Sequence, residues 1–359
     1  MRLEKALEET GVRNSVGVAS IFCNEVQIKR MWKETDIGYV VLKTFMDSED
    51  NPGEEAFNRK QSADQNMTLF HTGTTSKEAP NFETRSDELI DLVDSLLSYG
   101  IAAIPSIGTK KTDEATWEMM RGHLAKTGTI LLELNLRYTY RGLTSKYAEE
   151  IRQATGRNVV CDEYFSKNIP DTENMSDKER RYIGGSANRD FKRLLQAIRE
   201  IFPPEQYALI AKLWPNQELG QHMAYLVENY FDAVTLINSL KMEPPEPFKG
   251  IRKGKLPQMS GFSLRQHRDA ALYLAGEIGC KLPIFASGGM AVEAIRLPVG
   301  FNGNLKSLNV ESKQKNIEEG VVDILKCFQS GASYVQLGTV AYKGCYDVMP
   351  RIMRELKGI

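Results

Sequence analysis

The chain has 359 residues, of which 42% are hydrophobic and 26% charged, with a formal net charge of −1. This composition describes a globular protein with ample length for a large core. The near-zero charge excludes a global field that would draw it to nucleic acid or to an acidic membrane. The five cysteines, Cys23, Cys161, Cys280, Cys327 and Cys345, are scattered. That spacing excludes CxxC zinc sites and single-segment iron–sulfur ligation, and it predicts reduced thiols and no metal site. The opening MRLEKALEETG is charged from its second residue, and no apolar run approaches the roughly 18–20 residues of a membrane span. A cytoplasmic protein is expected, in which the N-x-S/T tripeptides at Asn66 and Asn174 carry no sugar.

Along the chain, near-continuous aliphatic runs have the signature of buried parallel strands. They fall at 15–20 (SVGVAS), 37–45 (IGYVVLKTF), 101–108 (IAAIPSIG) and 128–136 (GTILLELNL). The second half adds 207–214 (YALIAKLW), 232–240 (DAVTLINSL), 282–289 (LPIFASGG) and 332–339 (ASYVQLGT). Amphipathic stretches separate most of them. Helices are predicted over 86–99, where Ser86 and acidic residues open the first turn, and over 264–278 and 347–356. The alternation predicts an α/β fold, and eight strands predict a (β/α)8 TIM barrel as a single domain over 1–359. An open doubly wound sheet is the structural rival, but no G-x-G-x-x-G follows the first strand. Three stretches exceed a minimal barrel: the polar, turn-rich 46–85, the charged 161–192 with little periodicity, and 291–317. All are expected as insertions near the C-terminal ends of strands, where barrel enzymes build their active sites.

Chemistry concentrates at those strand ends. Ser287-Gly288-Gly289 closes the seventh strand and Gly338-Thr339 the eighth, the two connections that usually hold phosphate in a barrel. Glycine lets backbone N–H groups close on phosphate oxygens. Either pair alone reads as a turn; both together point to a phosphate site. Lys43, Asn135, Lys212 and Asn238 lie within or just after aliphatic runs. A single strand-end lysine snorkels to solvent, but two lysines and two asparagines at four strand ends point to a binding site at the barrel mouth.

The order of these motifs resembles the dihydroorotate dehydrogenase superfamily of FMN enzymes, which includes the flavin domain of dihydropyrimidine dehydrogenase. VGVAS, LKT, ELNLRYTYRGL, AKLWPN, LINSL, MSGFSLRQHRDAALYLA, FASGGM and GASYVQLGT carry the resemblance, which runs from about Asn14 to the end of the chain with the three insertions unmatched. It implies FMN as cofactor. Ala19 and Ser20 would line the flavin, and Lys43 and Thr44 would sit at its ring system. Asn135 would hydrogen-bond flavin or substrate, and Lys212 would lie near the pyrimidine edge. Asn238, Gly261, Gly288, Gly289, Gly338 and Thr339 would complete the cofactor site. Lys43 and Asn135 are also counted with the catalytic residues.

The pattern breaks on the substrate side. Tyr138 stands where the family has its Cys or Ser base, Tyr140 where an asparagine grips the substrate ring, and Arg137 where a small residue is usual. A tyrosine is a poor base at neutral pH but a serviceable acid, so Tyr138 is either a proton donor to a reduced C=C bond or, with Tyr140, an aromatic lid. Arg137, Lys110 and Lys111 hint at an anionic substrate. His71 in a polar loop is an alternative acid, while His123, His222 and His267 are read as surface residues. The expected activity is FMN-dependent oxidation or reduction of a CH–CH or C=C bond in a small, heterocyclic or carboxylated substrate. The alternatives are an authentic dihydroorotate dehydrogenase, a flavin-free phosphate-binding barrel acting as isomerase or lyase, a dihydrouridine-synthase-like enzyme, and a flavin binder without turnover. The dihydrouridine-synthase-like reading is disfavoured by the charge balance. Neither the electron partner nor the oligomeric state is readable; the resemblance leaves a homodimer open, since barrels of this superfamily are often dimers.

Overall fold

A computed structural model describes residues 3–22, 25–42, 44–46, 68–71, 82–156, 176–214, 219–222, 227–237, 240–241, 258–261, 264–291, 294, 314–338, 340–341 and 348–358. The chain opens with α1 (Leu3–Glu9), β1 (Val16–Phe22), α2 (Glu25–Thr35), β2 (Tyr39–Leu42), β3 (Phe45–Met46) and β4 (Thr68–His71). Next come α3 (Phe82–Ser98), β5 (Ala103–Ile104), β6 (Ser106–Gly108), α4 (Glu114–Leu124), β7 (Leu131–Asn135), α5 (Leu136–Thr155) and α6 (Asp177–Ile201). The second half runs β8 (Ala208–Lys212), α7 (Leu219–Gln221), β9 (Ala233–Leu236), β10 (Leu240–Lys241), β11 (Gln258–Gly261), α8 (Arg265–Glu277) and β12 (Ile284–Ser287). It finishes with α9 (Gln314–Gln329), β13 (Tyr334–Leu337) and α10 (Met349–Lys357).

The parallel ladder runs β3-β6-β7-β8-β9-β12-β13-β1-β2-β5. Its two ends are halves of one stave. Pro105 separates β5 from β6, and having no N–H it cannot continue the ladder as a donor, but its carbonyl still accepts the Glu133 N–H at 2.9 Å. Below the proline β5 pairs with β2; above it β6 pairs with β3 and β7. With β2 and β3 likewise two pieces of one stave, the ring closes with eight staves as a (β/α)8 barrel. The eight predicted strands all appear, most of them shortened, the first extended to Phe22, and two of them broken at these points. Helices α3, α8 and α10 match the three predicted from periodicity within four residues at each end.

The expectation that 161–192 is an aperiodic insertion is corrected in part. Residues 157–175 lie outside the described residues, but from Asp177 the chain is a 25-residue helix. Ser176 and Glu179 form a reciprocal capping box, and Ile183, Ala187, Phe191, Leu194, Leu195 and Ile198 make one buried stripe. The dense charge of the opposite face hid that stripe. Most of 46–85 and of 291–317 also lies outside the described residues. Of the first, β4 joins β10 and β11 in a small antiparallel sheet, built from connections that leave the C-terminal ends of staves. Among the described residues, no helix is long and apolar enough to cross a membrane.

The barrel interior changes character from base to mouth. Register and two-residue alternation turn Tyr39, Phe285 and Tyr334 inward near the base. Phe285 stacks on Tyr334 at 4.4 Å, and the Tyr39 ring stands edge-on to both. The Tyr39 O–H donates to the Val335 carbonyl at 2.9 Å. Burial, reinforced by the Glu133 carboxylate, pushes this phenol well above its ordinary range, so it stays a neutral donor. Gly17 faces the ring because a Cβ there would lie 2.5 Å from it. Above this aromatic base the inward residues become ionic and polar.

Candidate ligand site at the barrel mouth

Inward positions on β7, β8 and β9 are set by the register that aligns Glu133 with Ile210, Asn135 with Lys212, and Lys212 with Thr235. Glu133 is fully buried and Lys212 is 3% exposed. The Lys212 ammonium donates to Glu133 Oε1 at 2.9 Å, Ser106 Oγ donates to the same oxygen at 3.0 Å, and Thr235 Oγ1 donates to Oε2 at 2.9 Å. Four consecutive staves thus converge on one carboxylate. Because the single Ser106 proton goes to Glu133, the 3.0 Å contact between Ser106 Oγ and Thr44 Oγ1 is donated by Thr44. Asn135 Nδ2 in turn donates to Thr44 Oγ1 at 3.2 Å. A directional chain therefore runs from Asn135 through two hydroxyls to Glu133. A buried charge pair is tolerated only when its remaining capacity is hydrogen-bonded, and this network supplies those bonds.

Of the expected site residues, Thr44, Asn135 and Lys212 are brought into this one network. Ala19 and Gly338 meet on β1 and at the end of β13, where, among the described residues, a Cβ on Gly338 would touch only the Ala19 Cβ, at 3.7 Å. Ser20 belongs to β1, with its side chain outside the described residues, as are Lys43, Asn238 and Thr339 entirely. Gly261 ends β11 opposite Thr68, in the small sheet rather than the barrel wall. Glu133 was missed as a site residue, although a carboxylate inside LLELNL carries the same signal that singled out Lys212. Gln336 was missed too. It is fully buried on the inner face of β13 between Gly17 and Ser287. Neither its amide nitrogen nor its oxygen has a hydrogen-bond partner among the described residues.

The turn after β12 has left-handed backbone at Gly288 (φ 104°), Gly289 (φ 64°) and, without glycine's freedom, Ala291 (φ 52°). Behind it, Arg268 of α8 is 1% exposed and grips Asp323 of α9 through two bonds of 2.8 and 3.1 Å. Asp323 Oδ2 accepts the Ala291 N–H at 2.8 Å. Asp323 and the neighbouring acidic groups hold Arg268 charged despite its burial, and burial beside it pushes the Cys327 thiol up to about 12.

At the end of β7 there is no loop: α5 starts at Leu136, directly after Asn135. Tyr138 is half-buried in its first turn, and Arg137 is buried. The Tyr140 ring packs against Phe191, Trp214 and His222, and its O–H donates to Asn188 Oδ1 at 2.9 Å. The two tyrosines therefore part company: Tyr140 ties α5 to α6, and the expectation of a lid applies to Tyr138 alone. The reading of His222 as a surface residue is corrected. It is 1% exposed, and its Nε2 lies 3.1 Å from the same Asn188 oxygen. His123 and His267 are half-buried, and His71 lies in β4. Lys110 is half-buried and Lys111 exposed.

No family model matches the chain, and no curated protein matches it either. The geometry itself defines the chemistry on offer. It combines a buried ammonium–carboxylate pair with a directional hydroxyl chain, a left-handed glycine turn, and an amide whose two polar atoms have no partner among the described residues.

Proposed function

We propose that the barrel mouth binds FMN and that the protein is an FMN-dependent oxidoreductase. Its substrate would be a small, heterocyclic or carboxylated molecule, reacting at a CH–CH or C=C bond. The reading joins the resemblance to the dihydroorotate dehydrogenase superfamily with one structural observation: the left-handed Gly288–Gly289 turn and the buried Lys212 end staves of the same barrel. A cofactor with a phosphate at one end and a polar ring at the other calls for such a pair. The residues present suit it. Among the described residues, Gly338 leaves room beside Ala19, and the Gln336 amide, without a partner there, offers a donor and an acceptor on the inner wall. When bound, FMN supplies hydride transfer.

In this reading, Gly288, Gly289 and Gly338 hold the phosphate end, and Lys212 donates to the ring edge while Glu133 fixes its position. Asn135, anchored on Thr44, orients ring or substrate. Tyr138 delivers a proton to the substrate. Pairing of Lys212 with Glu133 favours one second reading, a flavin-free phosphate-binding barrel in which that pair is only wall.

The absorption spectrum of the purified protein separates the two. A visible flavin band, bleached by dithionite, is expected; colourless protein that takes up no added FMN would sink the flavin reading. In coloured protein, Tyr138→Phe is expected to slow substrate reduction while flavin content holds, and an unchanged rate would remove Tyr138 from the proton step.

A further inference from the structure

The strand-seven turn is held from behind by an ionic clamp. Arg268 Nη1 approaches the Gly288 carbonyl at 3.4 Å, and Arg265 Nη2 approaches the Gly289 carbonyl at the same distance. Asp323 binds both arginines and also takes the Ala291 N–H. In a trans peptide the N–H points opposite to the carbonyl of the preceding residue. With the carbonyls of Gly288 and Gly289 drawn toward the arginines, the N–H groups of Gly289 and Met290 are turned away from α8 and α9. Successive N–H groups in a left-handed turn form an anion-binding concavity. Ala291 has a φ that costs a residue with a Cβ about 1 kcal/mol or more, and Asp323 holds its N–H there.

We propose that Arg268 and Asp323 are positioning residues that fix the Gly288–Ala291 turn with the N–H groups of Gly289 and Met290 outward to grip a phosphate monoester. The pair contacts no ligand itself; it acts through the turn. This rests on reading that turn as the phosphate grip. Arg265, only partly buried, supports the outer carbonyl.

The test compares affinities for FMN, riboflavin and inorganic phosphate in the wild-type protein and in Asp323→Asn, with folding checked by circular dichroism. Wild-type protein is expected to prefer FMN over riboflavin by about a hundredfold, and Asp323→Asn to cut that preference about tenfold. A merely structural role would weaken both flavins alike, so an unchanged preference in folded Asp323→Asn overturns the proposal. If Asp323→Asn does not fold, Arg265→Gln takes its place, with a drop of about threefold expected; no drop again overturns it. Wild-type protein that binds neither flavin removes the FMN reading alone. The decision then falls to the Gly289 and Met290 amide resonances. Shifts with phosphate that disappear in the variant uphold the proposal, and their absence in the wild type overturns it.

Discussion

Two buried ion pairs among the described residues of the barrel are built differently. Glu133–Lys212 lies inside the staves, and its carboxylate accepts from side chains on β6, β8 and β9. Arg268–Asp323 lies outside them, between α8, α9 and a turn, and both partners reach the backbone. The first pair knits the wall at the mouth; the second shapes a loop. The desolvation of a buried pair is rarely repaid as net stability, so such pairs are better read as sources of conformational specificity. What the specificity is for differs with what the pair touches.

The largest effect is expected inside the barrel. Glu133→Gln leaves Lys212 buried without its counter-charge and should lower the unfolding free energy by about 3–5 kcal/mol, read from the urea midpoint at unchanged slope. Adding Lys212→Met should recover much of that loss; a double variant as unstable as the summed singles would deny that the pair is coupled. Asp323→Asn is expected to cost less, about 2 kcal/mol, because Asp269, 57% exposed, still pairs with Arg268. A cost equal to that of Glu133→Gln would erase the distinction between wall and clamp. Thr235→Val removes one neutral donor from Glu133 and should cost about 1 kcal/mol, again by urea unfolding.

The smallest effect concerns pH. Burial lowers the pKa of His267, beside Arg268, below its ordinary 6.5. The unfolded chain therefore binds the proton more readily, so stability is full above that value and declines as pH falls through it. A loss of stability is expected between pH 7 and 5, and His267→Gln should remove it from the pH dependence of the melting temperature.

Much of this architecture was legible in the chain. Parallel staves buried on both faces write continuous aliphatic runs, so all eight could be read directly. The paired glycines ending β12 are likewise a local signal, and their backbone is left-handed. The ionic partners were not legible, because they are long-range. Lys212 meets Glu133 across 79 residues, and Arg268 meets Asp323 across 55; no periodicity links such positions. Helix α6 was masked by its own charged face. His222 was misjudged because what buries it, Tyr140, Phe191 and Trp214, comes from α5, α6 and the connection after β8.

The missing loop between β7 and α5 bears on how this protein can change. One residue inserted between Asn135 and Leu136 would turn α5 by roughly 100°, swinging Tyr140, Leu143 and Tyr147 out of the packing they occupy. Length variation is therefore closed to this junction. New ligand preferences here have to be written letter by letter, at Tyr138 and its neighbours, while the long connections after other staves stay open to lineages that grow by insertion.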